Sequence, residues 1–478
     1  MEEMVTSSPG RAHPPGEPRL GGDSAPGHLP PSPLTRRDFV RTAFAGAGLA
    51  LASSAPVARA QATAAAASTA ANGKIRYALI GLGAQGRVLL DALQKIGTIE
   101  LVAIVDIWPY ALTYTERLLK RSGLTVKAYG STEELLAAET DLDAAIVATP
   151  DFWHAPITNQ CLRAGLHVYC EKMMSNTVEG ARSMVQAMRE TGKLLQIGHQ
   201  RRSNPRYRFA LNRLLNEAKI CGKLTAAQAQ WNRAASPDLG WPKKSDMPPE
   251  LLQKYGFESM HQFRNWRWFK ALGGGPLSDL GAHQIDIFPW FIGTHPTSVM
   301  ASGGNDYYPG RECVDNAMVI YEFPMPGGGG KLRAFYQVQT TTSAGGGYFE
   351  YFMGDQGSLK MSENPRLCVL YREAAAPDWS PWVAKNYLRA QPAPVVAESN
   401  TAVDVRETAP LQSYDIPVTF AKAIHQPHLE NFFSAIRGQA QLTCPADEAF
   451  SSEYIIHKAN QAIEARRILE FTPEEFEA

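Results

Sequence analysis

Lys74-Ile75-Arg76-Tyr77-Ala78-Leu79-Ile80-Gly81-Leu82-Gly83-Ala84-Gln85-Gly86 decides the fold. Residues 74–80 read as a buried strand, and three glycines in G-x-G-x-x-G spacing follow at once. Residues 87–95 then read as a helix, and Leu101-Val102-Ala103-Ile104-Val105 as a second apolar strand ending at Asp106. Strand, glycine turn, helix, strand and terminal acid together form a βαβ unit that binds a dinucleotide. Gly81 permits the tight turn, Gly83 lets the backbone approach a pyrophosphate, and Gly86 lets the helix pack closely on the strand. The amides of the turn, from Leu82 through Ala84 and Gln85, lead into a helix start, where the dipole favours the phosphates. Asp106 would accept hydrogen bonds from the ribose 2′-hydroxyl and repel a 2′-phosphate, which favours NAD over NADP.

The alternation continues, with helices expected near 113–121 and at 132–138, 155–164 and 178–190, and strands at 144–148, 167–170 and 194–197. This is the pattern of a doubly wound, mostly parallel Rossmann sheet covered on both faces, over residues 74–198. Ligands of such sheets sit beyond the carboxyl ends of the strands, where Thr149, Glu171 and His199 lie. After Pro205 the pattern changes. A helix at 207–218 leads into longer period-two strands at 224–231, 297–303, 317–323, 331–339 and 348–354, separated by Gly and Pro clusters. They are expected to form an open, mainly antiparallel sheet with helices on one face, so residues 199–478 read as an α+β substrate and oligomerisation domain. Residues 375–420 show no periodicity and read as a long surface excursion.

The 478 residues carry 47 Lys and Arg against 47 Asp and Glu, and 44% are hydrophobic. That balance excludes a disordered polyelectrolyte, and without a basic excess no nucleic-acid partner is expected. At roughly 150 residues per domain the length allows two or three domains. Six cysteines are too few for a disulfide framework, and no C-x-x-C pair offers a zinc site. Whether Cys161, Cys170, Cys221, Cys313, Cys368 and Cys444 form any bridge stays open.

Residues 1–34, rich in Pro, Gly and Ser, are expected to be disordered. Thr35-Arg36-Arg37-Asp38-Phe39-Val40-Arg41, a weakly apolar stretch over 42–55 and Ala58-Arg59-Ala60 follow in the order of a twin-arginine export signal cleaved after Ala60. An accidental Arg-Arg before an Ala-rich stretch is the other reading. As a signal, it makes residues 1–60 a leader and 61–73 a linker, the mature protein periplasmic, and the twin-arginine translocase its partner during export. About 14 apolar residues give about 21 Å of helix, too short for a hydrocarbon layer of roughly 30 Å, so no stable membrane anchor is expected.

The strongest chemical signal is Gly273-Gly274-Gly275-Pro276-Leu277-Ser278-Asp279-Leu280-Gly281-Ala282-His283-Gln284-Ile285-Asp286. If the stretch after Pro276 is helical, Asp279 and His283 share a face, and Asp286 lies three residues further on. An imidazole and a carboxylate facing one cleft can move a proton. A helix-capping Asp with a packed His has the same spacing. Trp231, Trp266, Arg267 and Trp268 flank this motif; rings beside polar groups suit sugar faces, making Trp231 and Trp268 candidate substrate contacts, though core and interface tryptophans are as common. His425 and His428 form an H-x-x-H pair without further ligands, so no metal is expected.

In combination these motifs resemble the Gfo/Idh/MocA oxidoreductases, the family of glucose-fructose oxidoreductase, inositol 2-dehydrogenase and rhizopine catabolism. The resemblance is carried by the glycine turn with Asp106, Ala148-Thr149-Pro150 with His154, Glu171-Lys172 after a strand, and the Asp279 to Asp286 motif. The end of the chain, His428-Leu429-Glu430-Asn431-Phe432-Phe433 through Ala435-Ile436-Arg437-Gly438 to Leu469-Glu470-Phe471, is also similar, so the likeness covers residues 74–472. It implies an NAD(P)-dependent oxidoreductase acting on CH–OH groups of sugars or polyols. Carried over, Lys172 positions substrate and tunes proton transfer, Asp279 binds a hydroxyl and His283 is the general acid/base. The same resemblance puts Thr149, Pro150, His154, Glu171 and Lys172 on the cofactor, with Glu171 orienting the ribose, puts Arg202 beside the substrate, and implies a homo-oligomer, dimer or tetramer. Met173 stands where the family usually has proline; a cis peptide, common before proline, costs about 2.5–4 kcal/mol before methionine.

An exported nicotinamide enzyme is separated from the cofactor pool, so NAD is expected to be loaded before export, held tightly and returned to its starting state in each turnover. Coupled oxidation and reduction of two substrates would achieve this. So would a redox-neutral glycosidase or epimerase working through a transient keto-sugar. A non-catalytic sugar sensor is a third reading, against which the presence of Lys172, Asp279 and His283 counts.

Overall fold

A computed structural model gives the fold and describes residues 73–325, 327–345, 347–393 and 410–478. The expected leader and export signal, and all of the expected linker but Gly73, lie outside the described residues, as does the middle of the 375–420 stretch.

The first half forms a parallel sheet of β1 (Ile75–Ile80), β2 (Ile99–Val105), β3 (Lys127–Tyr129), β4 (Ala144–Val147), β5 (His167–Cys170) and β6 (Leu195–Ile197). Their order is β3-β2-β1-β4-β5-β6, so the chain reverses direction across the sheet between β1 and β4 and opens a crevice there. The crossovers are α1 (Ala84–Leu93), α2 (Pro109–Arg121), α3 (Thr132–Ala138), α4 (Asp151–Arg163) and α5 (Val178–Thr191). Caps fix two of the starts: the Ser131 hydroxyl accepts from the Glu134 amide at 3.2 Å, and the Thr177 hydroxyl from Gly180 at 3.1 Å. The expected strands and helices appear within a few residues, with one addition. β3 has three residues, two of them exposed, so no apolar run announces it.

α1 starts at Ala84, inside the glycine motif, so the turn itself is the helix N-terminus. Gly81 has φ +95°, and a Cβ there would lie 2.5 Å from the Ala148 carbonyl oxygen. At Gly86 a Cβ would lie 1.9 Å from the carbonyl oxygen of Gly81. Both neighbours are backbone and cannot yield. Gly86→Ala is therefore expected to destabilise the fold by about 1–3 kcal/mol and to weaken dinucleotide binding, read by thermal melting and by a binding titration.

The second sheet has ten strands among the described residues: β7 (Leu224–Asn232), β8 (Ser298–Gly304), β9 (Asn316–Pro324), β10 (Lys331–Gln339), β11 (Tyr348–Gly354), β12 (Gly357–Met361), β13 (Val369–Arg372), β14 (Arg389–Ala390), β15 (Gln412–Asp415) and β16 (Leu469–Glu470). The order is β14-β15-β13-β12-β11-β7-β10-β9-β8-β16. Only the central pair β7 and β10 runs parallel; the other pairs are antiparallel. Alternation sets the faces. On β9, Ala317, Val319, Tyr321 and Phe323 are buried in the core, while Met318 is 47% exposed on the other side.

The 375–420 stretch differs from expectation. Its described parts supply β14 and β15, which extend the sheet, and Trp379 is buried with its ring 5.0 Å from that of Tyr414. Short edge strands with irregularly spaced apolar anchors leave no period to read. All six cysteines are buried free thiols.

The nucleotide sheet draws part of its core from later in the chain. Leu429, Phe432 and Phe433, on the helix Gln426–Ile436, pack with Tyr77 on one face, and Ala446, Ala449 and Phe450 join the core on the other. The helix Ala446–Ala465 then runs on into the core of the second sheet, tying the two sheets together around the crevice.

Candidate active site

A cavity of about 470 Å³ lies at the crevice, a size in the range of small-molecule sites. Its cofactor end fits a dinucleotide. A Cβ built on Gly83 meets nothing within 4 Å, so the backbone there is open to a ligand. Asp106 closes the turn: its Oδ2 accepts from the Leu82 amide at 2.7 Å and its Oδ1 from Trp108 at 2.8 Å. Burial raises its pKa, while the two amides, Arg264 and Arg87 oppose the rise. Thr149 and Pro150 line the same cavity from the end of β4.

The connection between β7 and the Asp279 motif covers this end. Trp108 Nε1 donates to the Ser245 carbonyl at 2.6 Å, Trp153 Nε1 to that of Tyr255 at 3.0 Å, and Phe152 and Phe257 meet edge-on at 5.4 Å. Tyr255, Phe257, Phe263 and Arg264 of this segment line the cavity.

At the middle, Glu171 Oε1 accepts from Gln85 Nε2 at 3.1 Å and from Tyr169 at 3.2 Å, and Gln85 Nε2 also lies 3.1 Å from His425 Nε2. His154 sits with Nε2 2.8 Å from the Thr149 carbonyl and Nδ1 2.6 Å from that of Met173. Burial lowers its pKa, against the two carbonyls, and the ring sits between the chain segments that follow β4 and β5.

The Lys172–Met173 peptide is cis despite the absence of proline. Met173 points into the core of the second sheet, and Lys172 Nζ donates to the carbonyls of Asp279 and, at 3.4 Å, Ser278. The stretch after Pro276 is indeed helical, with a π turn over Leu277–Gly281 followed by α-helix. Asp279 and His283 both face the cavity. Arg267 Nε donates to Asp279 Oδ1 at 2.8 Å. Burial pushes Asp279 up, but Arg267 and Lys172 outweigh it, and the carboxyl is held below its ordinary value. Burial, then Lys172, Arg201, His199 and His425, hold His283 well below its ordinary value. Trp231 completes this end. Its ring lies 5.6 Å from that of His283 and stacks on Tyr348 at 4.5 Å.

Two expected substrate contacts are elsewhere. Arg202 is turned away from the cavity: Nε lies 3.0 Å from each oxygen of Asp286 and Nη2 2.7 Å from one of them. A guanidinium this enclosed needs a carboxylate, and Arg202 meets two, the buried Asp286 and, through Nη1 at 3.2 Å, Glu448. Trp268 is 7% exposed and its ring carries the Arg311 guanidinium at 4.4 Å, while Trp266 and Arg267 reach the cavity instead. Leu82 and Gly86 also lie off the main cavity, Gly86 as a packing glycine and Leu82 in a small neighbouring cleft that Asp106 shares. His425 and His428 part company: His425 lines the cavity, and His428 is buried with Nε2 2.8 Å from the Ile197 carbonyl and Nδ1 2.6 Å from the Ser203 hydroxyl.

The structure also adds cavity residues. Asp151, at the start of α4, is buried, and its carboxyl is pushed up to about 8 by burial, against Lys172 and Arg267. Gln200 and Glu363, joined at 3.1 Å, and Tyr348 line the wall beside Trp231. Asp151 had a sequence signal, an acid directly after the Thr149-Pro150 strand end; Glu363 had none.

Residues 75–199 match a family model described as oxidoreductase family, NAD-binding Rossmann fold, and residues 211–360 match the GFO/IDH/MocA C-terminal domain. The chain is 24% identical over 228 residues to an inositol 2-dehydrogenase of Rhizobium meliloti (strain 1021), covering 48% of this chain and 58% of the relative. It is 30% identical over 165 residues to a glycosyl hydrolase family 109 protein of Stenotrophomonas maltophilia, covering 33% and 34%. The chain thus spans less than two thirds of these curated relatives. Among solved structures, the aldose-aldose oxidoreductase of Caulobacter crescentus, complexed with glycerol, superposes with a TM-score of 0.61 at 19% identity, over 83% of this chain and 100% of that one. Nucleotide-binding sheet and second sheet each match the model of one family, together over more than half the chain, and the chain belongs to the Gfo/Idh/MocA oxidoreductase family.

Proposed function

We propose that the protein transfers hydride between NAD and the CH–OH carbon of a sugar, polyol or glycoside, and that it holds the cofactor tightly and restores it within each turnover. One observation carries this reading: a single cavity is lined by Gly83 and Asp106 at one end and by Lys172, Asp279 and His283 at the other. When bound, NAD supplies the site that accepts or gives hydride. The chain's residues do the rest. His283 is neutral at pH 7; its Nδ1 is enclosed, so Nε2 is presented to the cavity and takes the hydroxyl proton. Asp279, ionised beside Arg267, accepts a hydrogen bond from a substrate hydroxyl. Lys172 ties its ammonium to the helix turn that bears Asp279, fixing both relative to the end of β5. Trp231, backed by Tyr348, offers a flat apolar face to sugar C–H groups.

Asp106 sets the preference for NAD, because its carboxylate would face a 2′-phosphate. Asp106→Ser is expected to raise affinity for NADP relative to NAD by about tenfold or more, measured by titrating each cofactor into the protein. Retention is supported by the 241–269 segment over the cofactor end and by the export signal read at residues 35–60, which would carry the protein, folded around its cofactor, to the periplasm.

Asp151 favours a second reading, the redox-neutral glycosidase or epimerase. A carboxyl with a pKa of about 8 is protonated at pH 7 and can give its proton to a leaving group in the same cavity. Product analysis without added cofactor separates the readings. An oxidised product matched by a reduced second substrate supports coupled oxidation and reduction; a hydrolysed or epimerised product with no net oxidation supports the second reading. Turnover of neither kind from a sugar, polyol and glycoside panel would leave the sensor.

A further inference from the structure

The cavity wall beside Trp231 carries a carboxylate that the proposed chemistry does not use. Glu363, in the loop after β12, lines the cavity with a side chain only 4% exposed. Its loop is pinned: Ser362 Oγ donates to the Tyr348 carbonyl at 2.9 Å and accepts from the Asn364 amide at 3.2 Å. The carboxylate itself has two partners, Oε1 accepting from Gln200 Nε2 at 3.1 Å and Oε2 from Arg201 Nη2 at 3.2 Å. Arg201 is buried, and its Nη1 donates to the His283 carbonyl at 3.2 Å. One planar guanidinium thus fixes Glu363 relative to the reacting end. The same guanidinium pairs with the enclosed Glu350, which also accepts from the Tyr207 hydroxyl at 2.6 Å. A single positive charge is shared between two carboxyl groups, and of these Glu363 is the one that reaches the cavity.

The two bonds use about half of the roughly four acceptor positions of a carboxylate, and the others are left for a ligand. Gln200 adds to the pattern from the turn after β6. Its Nε2 is turned to Glu363, so Oε1 is the free end of the amide, and that atom is buried with no hydrogen-bond partner among the described residues. An enclosed acceptor is costly until a donor meets it. Both groups on this wall therefore have acceptor capacity to spare and no donor to offer. Lys172 and Arg267, at the reacting end, are already engaged, by the carbonyls of Asp279 and Ser278 and by the Asp279 carboxylate.

We propose that Glu363 and Gln200 form a specificity subsite that takes a second hydroxyl, or an amino group, of the substrate and turns away carboxylate and phosphate groups. The inference rests on the reading of the cavity as a sugar or polyol site and narrows it to neutral and amino sugars, against sugar acids and sugar phosphates. A hydroxyl or ammonium donates to the Glu363 carboxylate and to Gln200 Oε1. A carboxylate or phosphate in the same place would set acceptor against acceptor and negative charge against negative charge, with Arg201 already committed behind the wall. Trp231 and Tyr348, on the same wall, meet the C–H face of the ring whose polar groups the subsite reads.

The test is calorimetric titration of the purified full chain with a panel of sugars, polyols and glycosides in which each neutral compound is matched with its amino, acid and phosphate counterparts, as glucose is with glucosamine, glucuronate and glucose 6-phosphate. Neutral and amino compounds should bind at least about tenfold tighter than their acidic counterparts. Glu363→Gln, which keeps the size of the side chain, should shrink that ratio to within about threefold, and Glu363→Asp should keep it. A merely structural role would lower all affinities together and leave the ratio unmoved. Acidic compounds bound as tightly as neutral ones overturn the subsite in the unmodified protein, whether or not the variants fold, and leave the sugar reading standing. A ratio unmoved by Glu363→Gln in a folded variant also overturns it. A panel of which nothing binds removes the sugar reading, and the subsite with it.

Discussion

His283→Ala is expected to lower turnover by about 10²–10⁴-fold while leaving the protein folded and able to bind NAD. The ring lines the cavity, contributes little to the core and meets Trp231 as a tilted pair at 5.6 Å, so its loss removes a proton acceptor and little packing. The pH dependence follows with a definite sign. Burial and the surrounding cations hold the imidazole well below its ordinary value, so the base form persists as pH falls. For oxidation of the alcohol, kcat/KM should therefore remain level as pH drops through about 6.5, the ordinary histidine value, and decline only below it. A decline centred near 6.5 would mean that His283 is solvated or is not the base.

Asp286→Ala is expected to cost about 3–5 kcal/mol of stability, because it leaves the buried Arg202 guanidinium with the exposed Glu448 carboxylate, at 3.2 Å, as its remaining ionic partner. Arg202 and Asp286 are 7% and 1% exposed and share three close N···O contacts of 2.7–3.0 Å. Burial alone would raise the Asp286 pKa, but Arg202 and His199 outweigh it and hold the carboxyl far below the usual range. A depressed folded-state pKa contributes stability that is fully present above the unfolded value of about 3.9 and is lost as pH falls toward the folded value. Acid unfolding of the native protein should thus draw on this pair below about pH 4, and the variant should lose that part of the acid dependence. Chemical denaturation of both proteins at pH 7 and pH 3 measures this; equal differences at the two pH values would contradict it.

These effects also show what the residue pattern could carry. The βαβ units were legible because burial on both faces of a parallel sheet imposes apolar runs of fixed length, bounded by helices of period 3.6. β3, the edge strand β14 and its neighbour β15 have too few buried positions to impose anything. At the site, Lys172, Asp279 and His283 could be proposed together because each belongs to a local motif at an element end, and the fold brings them to one cavity. Arg202 and Trp268 misled because proximity in sequence to such motifs does not set side-chain direction. Arg202 follows the buried Asp286, and Trp268 turns under Arg311. Gln200, Tyr348 and Glu363 meet only through tertiary packing of the β6 end against β11 and the loop after β12, which no spacing encodes.

A cofactor held and restored within each turnover is tested most directly by mass spectrometry of the small molecules released on denaturing the purified protein. Stoichiometric NAD or NADH, surviving purification without added cofactor, is the expected result. A protein that releases none and binds NAD only weakly would contradict it, leaving a freely exchanging dehydrogenase or a sensor.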